Sequence, residues 1–133
     1  MTLEQIENTL PNGLHDAQIA SLYIDYKRAC LTFEVEVLVG LPGQPHPECE
    51  SYRRGRLSFE PMYYCSIEYP QPGVPFEQPG LVWFSYERTA RAEIPASVEQ
   101  HLPKDTQYYS LFIREWLSSI HVASGAVGFS WQD

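Results

Sequence analysis

Residues 15–40 constrain the fold more than any other part of the chain. The run 30–39 alternates apolar and polar residues, and the run 15–26 also alternates, with its apolar phase shifted by one residue at Leu22. Alternation of period two is typical of strands with one buried and one solvated face, and a one-residue shift indicates a β-bulge. We therefore predict an antiparallel hairpin that turns at 27–29. The residues predicted to face the core from its second strand are Leu31, Phe33, Val35, Val37 and Val39.

Further segments with strand character follow this hairpin. Residues 52–60, 62–69 and 81–86 are rich in aromatic and apolar side chains, and loops containing several prolines separate them. Residues 108–120 fit both a helical and a strand period, and their aromatic and β-branched content favours a strand over 108–114. The alternation returns at the end of the chain, up to Trp131.

A short amphipathic helix is predicted over residues 2–10. Thr2 is followed three positions later by Gln5, which is the pattern of a capping box, and apolar residues recur at helical spacing. Pro11 then ends the helix, because proline cannot donate to the helical ladder. One or two further helical turns are predicted over residues 96–102, between two prolines.

These elements together predict the fold class. We expect a mostly β fold, an antiparallel sandwich or a curved, partly closed sheet, with a short N-terminal helix. The 133 residues fit one predicted domain, with the helix at about 2–10 and the sheet core over 14–131. The alternative is an α+β fold, which requires residues 108–119 to be helical.

The charge balance excludes several classes of partner. Seventeen acidic residues outnumber nine lysines and arginines, so the formal net charge is −8. Nucleic acids and anionic membranes both attract proteins with a surplus of cations, so neither is an expected partner, whereas a basic protein is. The chain lacks an apolar run near the roughly 18 residues of a membrane helix, and its three cysteines form no CxxC pair. We therefore predict a cytoplasmic protein.

Motifs that would carry catalysis are missing. The sequence contains neither GxSxG, GxGxxG nor a phosphate-binding loop, and its histidines and cysteines lack metal-ligand spacing. We therefore predict no catalytic residue, metal or cofactor. His15 beside Asp16 is the best acid–base candidate, but adjacent strand residues point to opposite faces, so the two side chains are not expected to meet.

Candidate binding residues come from three features of the sequence. Arg54 and Arg56 belong to the only basic cluster, and although they can bind a carboxylate or phosphate, we favour pairing with Glu34 or Glu36 across the sheet. Tyr64 belongs to an aromatic group that also contains Tyr63 and Tyr69 and that can anchor a protein interface. The predicted binding residues are His15, Asp16, Arg54, Arg56, Tyr64 and His121.

Two segments carry a resemblance to known proteins. Residues 12–19 (NGLHDAQI), followed by Leu22 and the run 24–26, resemble the N-terminal "HDA" hairpin of a family of small uncharacterised bacterial proteins. Residues 120–122 and the closing run 129–131 are also similar. Some families that look similar are grouped with immunity proteins of toxin–antitoxin-like competition systems. The resemblance implies a small cytosolic β-rich domain that acts by binding, and it carries over no catalytic residue.

Three functions are compatible with the sequence. The first is a non-enzymatic protein-binding domain, in particular an immunity-like inhibitor of a bacterial toxin. The second is a small enzyme or ligand-binding protein with a pocket around His15, Asp16, Arg54 and Arg56, which requires His15 to come within hydrogen-bond reach of His121. The third is a homodimeric structural module whose sheet edge pairs with that of a second copy.

Overall fold

The computed structural model describes residues 1–74, 81–87 and 94–132, with only the backbone described in 81–87. Antiparallel strands dominate this part of the chain, as predicted, and the helices are short. The elements are α1 (Leu3–Glu7), β1 (Pro11–Leu14), β2 (Gln18–Asp25), β3 (Cys30–Leu38), β4 (Tyr52–Phe59), β5 (Met62–Ile67), β6 (Leu81–Glu87), α2 (Ala96–Glu99), β7 (Gln107–Ile113), β8 (Ser118–Ser124) and β9 (Val127–Trp131).

Eight of the strands form one continuous antiparallel order, β5-β8-β7-β6-β2-β3-β4-β9. The first half of the sheet contains β2, β3, β4 and β9, and the second half contains β5, β8, β7 and β6. Only two residue pairs, Gln18 with Val82 and Ile19 with Leu81, join the halves between β2 and β6. The outer strands β5 and β9 do not pair among the described residues, so the sheet is not closed.

The hairpin predicted from residues 15–40 is present as β2 and β3. Its turn is stabilised by the Asp25 carboxylate, which accepts hydrogen bonds from the backbone N–H groups of Lys27 at 3.0 Å and Arg28 at 3.2 Å. The register between the strands shifts between Ile19 and Ser21, which confirms a bulge in the first strand but places it ahead of Leu22.

The start of that first strand was predicted incorrectly. Residues 15 and 16 form a turn between β1 and β2, and the strand begins three residues later than expected, at Gln18. Asp16 has a φ of 62°, a left-handed conformation that no strand accommodates. The backbone N–H of Ala17 closes the turn by donating to the carbonyl of Leu14 at 3.0 Å.

The two halves of the sheet enclose one hydrophobic core. The four core residues predicted within β3, from Leu31 to Val37, are buried, whereas Val39 is only half-buried because β3 ends before it. The second half contributes Tyr109 and its apolar neighbours on β7 and β8. The rings of Phe59 and Tyr109 meet edge to face with centroids 6.0 Å apart, so the core is continuous between the halves.

The ambiguous segment 108–120 is a strand pair rather than a helix. Strands β7 and β8 pair along their length, and the turn between them contains Leu117 at a φ of 52°. The mostly β prediction therefore holds over its α+β alternative. The α1 capping box is also confirmed, although the helix ends at Glu7 because Thr9 and Leu10 already form turns before Pro11.

Candidate functional site

His15 and Asp16 lie in the exposed turn between β1 and β2. Their side chains do meet, with His15 Nδ1 3.1 Å from Asp16 Oδ2, so the expectation that they point apart was wrong. That expectation assumed a strand, and the left-handed backbone of Asp16 brings the two side chains together instead. Exposed ion pairs are worth little and are screened by salt, so this pair alone does not form an enclosed site.

The basic cluster lies on the outer face of the first half. Arg56 Nε donates to Glu34 Oε1 at 2.8 Å, which confirms the predicted cross-strand pairing for this residue. Arg54 is exposed and stands opposite Glu36 in the β3–β4 register. Because Glu34 offsets the charge of Arg56, this face offers less positive charge to an anion than the sequence suggests.

Three hydrogen-bonded side chains form a row in the second half of the sheet, and the sequence did not predict this arrangement. His121 on β8 is buried, and its Nδ1 lies 2.7 Å from the Ser110 hydroxyl while its Nε2 lies 3.0 Å from Glu68 Oε2. A carboxylate only accepts hydrogen bonds, so Nε2 carries the proton that bonds Glu68. In the neutral ring Nδ1 is then the acceptor for the Ser110 hydroxyl. We call Ser110, His121 and Glu68 the His121 array.

Glu68 is the part of the His121 array that reaches solvent, and 46% of its side chain is exposed. Its second oxygen, Oε1, accepts a hydrogen bond from the Ser119 backbone N–H at 2.7 Å. The hydrogen bond from His121, and next the one from Ser119, lower the pKa of the Glu68 carboxyl below its ordinary value. Both donors favour the charged form, so Glu68 is an ionised carboxylate held in one orientation.

The order Ser–His–Glu is that of a hydrolytic triad, but its surroundings differ. Ser110 lies within β7, which pairs with β6 on one side and β8 on the other. The backbone N–H groups around it therefore take part in the sheet ladders and are not free to stabilise an oxyanion. The His121 array is better suited to orienting Glu68 than to activating Ser110.

Three exposed apolar side chains occur near Glu68 in the chain or across the β7–β8 turn. Ile67 at the end of β5 is 44% exposed, Tyr69 is 85% exposed, and Leu117 in the β7–β8 turn is 54% exposed. Ile67 pairs with the buried Ile120, so it lies on the core side of the sheet, opposite to Glu68 and His121. We call Glu68, Tyr69 and Leu117 the Tyr69 surface. By contrast, the predicted anchor Tyr64 lies within β5 and is half-buried.

Backbone hydrogen bonds bring the members of this surface together. The N–H of Glu68 donates to the carbonyl of Ser119 at 3.1 Å, and the N–H of Gln71 donates to the carbonyl of Trp116 at 3.0 Å. The segment after β5 is therefore bound along the β7–β8 turn that contains Leu117. Residues about fifty positions apart in the sequence thus form one surface, which a linear pattern does not reveal.

The two histidines of the proposed pocket have separate partners. His15 contacts Asp16, and His121 contacts Ser110 and Glu68; no hydrogen bond or ion pair joins the histidines in the described part of the chain. His15 and His121 therefore do not contact each other directly, as the proposed shared pocket would require. The side chains of residues 83–86, part of the aromatic-rich run 81–86, lie outside the described side chains.

Cysteine and metal chemistry have little support in the described residues. Burial raises the pKa of the Cys65 thiol to about 11, so it stays protonated at neutral pH and is a poor nucleophile. Within residues 1–74 and 94–132, no group of three histidine, cysteine, aspartate or glutamate side chains is placed to hold a metal ion.

Comparisons with known proteins add no relative to this description. No protein-family model, curated protein or solved structure matches the chain. Of the helices in the described residues, none has the length and apolar character needed to cross a membrane. The functional assignment therefore depends on the geometry of the described residues.

Proposed function

We propose that this chain is a non-enzymatic protein-binding domain, in particular an immunity-like inhibitor of a bacterial toxin that acts in the cytoplasm. The observation that supports it is the Tyr69 surface, where the exposed side chains of Tyr69 and Leu117 accompany an oriented carboxylate. Tyrosine is enriched among the residues that dominate interface energies, because it buries a large area and loses few rotamers.

The charge of the chain favours a basic partner. A formal net charge of −8 accelerates encounter with a positively charged protein and repels a second copy of the same chain. A toxin that acts on nucleic acid is one class of protein with a basic surface. The homodimeric alternative is less well supported, since like charges oppose it.

Site-specific photocrosslinking tests this function. A benzophenone amino acid at Tyr69 is compared with the same amino acid at Tyr26, which is 87% exposed and lies in the turn after β2, in the other half of the sheet. The two positions are matched in residue type and exposure. We expect a discrete adduct with one basic protein from position 69 in host cells, identified by mass spectrometry, and none from position 26.

Identification of that adduct must be followed by reconstitution. The crosslinked protein, produced alone, is expected to be toxic or enzymatically active, and equimolar addition of this chain is expected to inhibit it. Identical adduct patterns from positions 69 and 26 would argue against a specific interface. A captured protein that the chain does not inhibit would remove the immunity-like part of the proposal.

The His121 array favours a second candidate function, a small hydrolase in which Ser110 is the nucleophile. Hydrolysis of a chromogenic acetate ester by the purified protein discriminates between the two. A hydrolase loses its turnover in Ser110→Ala and keeps it in Ser66→Ala, which changes the serine opposite His121 on the neighbouring strand β5. We expect no hydrolysis that depends on Ser110.

A further inference from the structure

We propose that Glu68 is the anchor for an arginine side chain of the protein partner, with the ring of Tyr69 beside it. Such a contact depends on the protein-binding function proposed above and adds the chemistry that the partner must present. It makes Glu68 and Tyr69 the residues that determine specificity on the Tyr69 surface.

Glu68 differs from the glutamates of the described chain that pair with an arginine. Glu34 is neutralised by Arg56 at 2.8 Å, and Glu60 by Arg28 at 2.9 Å. The Glu68 carboxylate instead accepts from the ring of His121 and from a backbone N–H, and no lysine or arginine lies within ion-pair distance of it in the described residues. Unlike Glu34 and Glu60, Glu68 has no permanently charged guanidinium beside it among the described residues, so its carboxylate remains available to a cation.

The carboxylate is also organised before any partner binds. Each of its oxygens already accepts one hydrogen bond, and each keeps a further lone pair. Fixing a glutamate side chain in a complex ordinarily costs rotamer entropy. Hydrogen bonds from His121 and Ser119 already restrict the Glu68 side chain in the free protein. Less rotamer entropy is therefore lost when a cation binds Glu68 than when it binds an unrestrained glutamate.

The neighbouring side chains favour arginine over lysine. A guanidinium is planar, bonds a carboxylate through two parallel N–H groups and stacks on an aromatic face, whereas an ammonium is compact and strongly hydrated. Tyr69 supplies an exposed aromatic face next to Glu68 in the chain. Leu117, 54% exposed, supplies apolar area for the methylene groups of the arginine stem.

Titration with small amides, followed by NMR, tests this assignment without the partner. The probes are N-acetyl-arginine methylamide, the corresponding lysine amide, and the citrulline amide, a neutral isostere of arginine. We expect saturable shifts at the amides of Tyr69 and Ser119 with arginine, binding that is about threefold weaker with lysine, and no saturable shift with citrulline.

Two variants localise the site. Glu68→Gln keeps the size of the side chain and removes its charge, and it is expected to abolish the arginine-dependent shifts. Asp105→Asn removes one charge from an exposed residue between α2 and β7 and is expected to leave them unchanged. Equal binding of lysine and arginine, shifts spread over all acidic residues, or an unaffected Glu68→Gln variant would each overturn the assignment.

The crosslinking experiment separates failure of the anchor from failure of the function. If the adduct from position 69 persists undiminished in Glu68→Gln, the chain binds its partner through this surface but not through an arginine at Glu68. If arginine binds at Glu68 while position 69 yields no adduct, the site is real and the protein-binding function is wrong.

Discussion

At the scale of single residues, Gly55 shows how closely β4 and β9 approach. A Cβ added there would collide with the ring of Phe129. That ring contacts Trp131 edge to face at 5.0 Å, and the guanidinium of Arg53 lies 4.4 Å above Trp131. Because the stack must shift to admit a methyl group, we expect Gly55→Ala to lower the free energy of unfolding by about 1–3 kcal/mol, measured by urea denaturation.

Gly128→Ala is the matched control, because it lies on β9 and a Cβ there would meet nothing within 4 Å. Alanine costs less entropy than glycine to order in a strand, so this variant is expected to gain up to about 1 kcal/mol. Equal stabilities of the two alanine variants would show that the Phe129 ring moves aside without a cost in free energy.

The hydroxyl group of Ser118 is buried and unsatisfied in the described structure. Ser118 is 3% exposed, and its hydroxyl has no hydrogen-bond partner there. Removing an unsatisfied buried hydroxyl is neutral or favourable, so we expect Ser118→Ala to leave the unfolding midpoint in urea unchanged or raise it.

Ser124→Ala provides the comparison, because that hydroxyl is equally buried but donates to the Ala126 carbonyl at 3.3 Å. We expect this variant to lose about 1 kcal/mol. A loss of stability in Ser118→Ala as large as that in Ser124→Ala would mean that the Ser118 hydroxyl is satisfied in solution.

Glu68 predicts a specific dependence of stability on pH. Hydrogen bonds from His121 and Ser119 lower the pKa of its carboxyl in the folded state, so folding favours the ionised form. The resulting stabilisation is present above the ordinary glutamate value of 4.5 and is lost as the pH falls through the lower folded value. We expect the stability advantage of the wild type over Glu68→Gln, measured by urea midpoints, to shrink on acidification. A difference that stays constant from neutral to acidic pH would contradict this account.

At the scale of elements, helix α1 depends on its cap. The Thr2 hydroxyl accepts from Gln5 N at 3.2 Å, and the Gln5 side chain accepts from Thr2 N at 2.8 Å. A helix of five residues has few internal hydrogen bonds, so we expect Thr2→Ala to destabilise the protein by about 1 kcal/mol. Thr2→Ser keeps the acceptor and should behave like the wild type in thermal unfolding; if both variants melt alike, the cap is not the cause.

The elements also show where sequence patterns succeed and fail. The period-two pattern of β3 identified four buried apolar residues from Leu31 to Val37, because every second side chain of a strand must face the same side. Thr32 lies on the other face and is buried as well. The same reasoning failed at Asp16, where a single left-handed residue makes a turn and separates β1 from β2. Asn12 then binds β1 to the end of β3 by donating to the carbonyls of Leu38 and Gly40 at 3.0 and 2.8 Å.

At the scale of the whole molecule, the contact between Phe59 and Tyr109 joins the halves of the sheet. The rings lie 6.0 Å apart, and only two residue pairs connect β2 with β6. We therefore expect a double-mutant cycle with Phe59→Leu and Tyr109→Leu to give a coupling energy of about 0.5–1.5 kcal/mol. Tyr109→Leu combined with Tyr26→Ser, in the exposed turn after β2, should be additive, and additivity of the first pair would refute the link.

The alternation of apolar and polar residues, the helix cap and the composition are local properties of the sequence. They determined the strands, the short helix and the mostly β class. They act between residues a few positions apart, so the sequence expresses them directly. The order β5-β8-β7-β6-β2-β3-β4-β9 was decided only by tertiary structure, and with it the candidate site. Ser110 and Glu68 contact His121 from 11 and 53 positions away, because β7 and β5 pair with β8 on opposite sides. Such contacts depend on the register of distant strands, which no local pattern encodes.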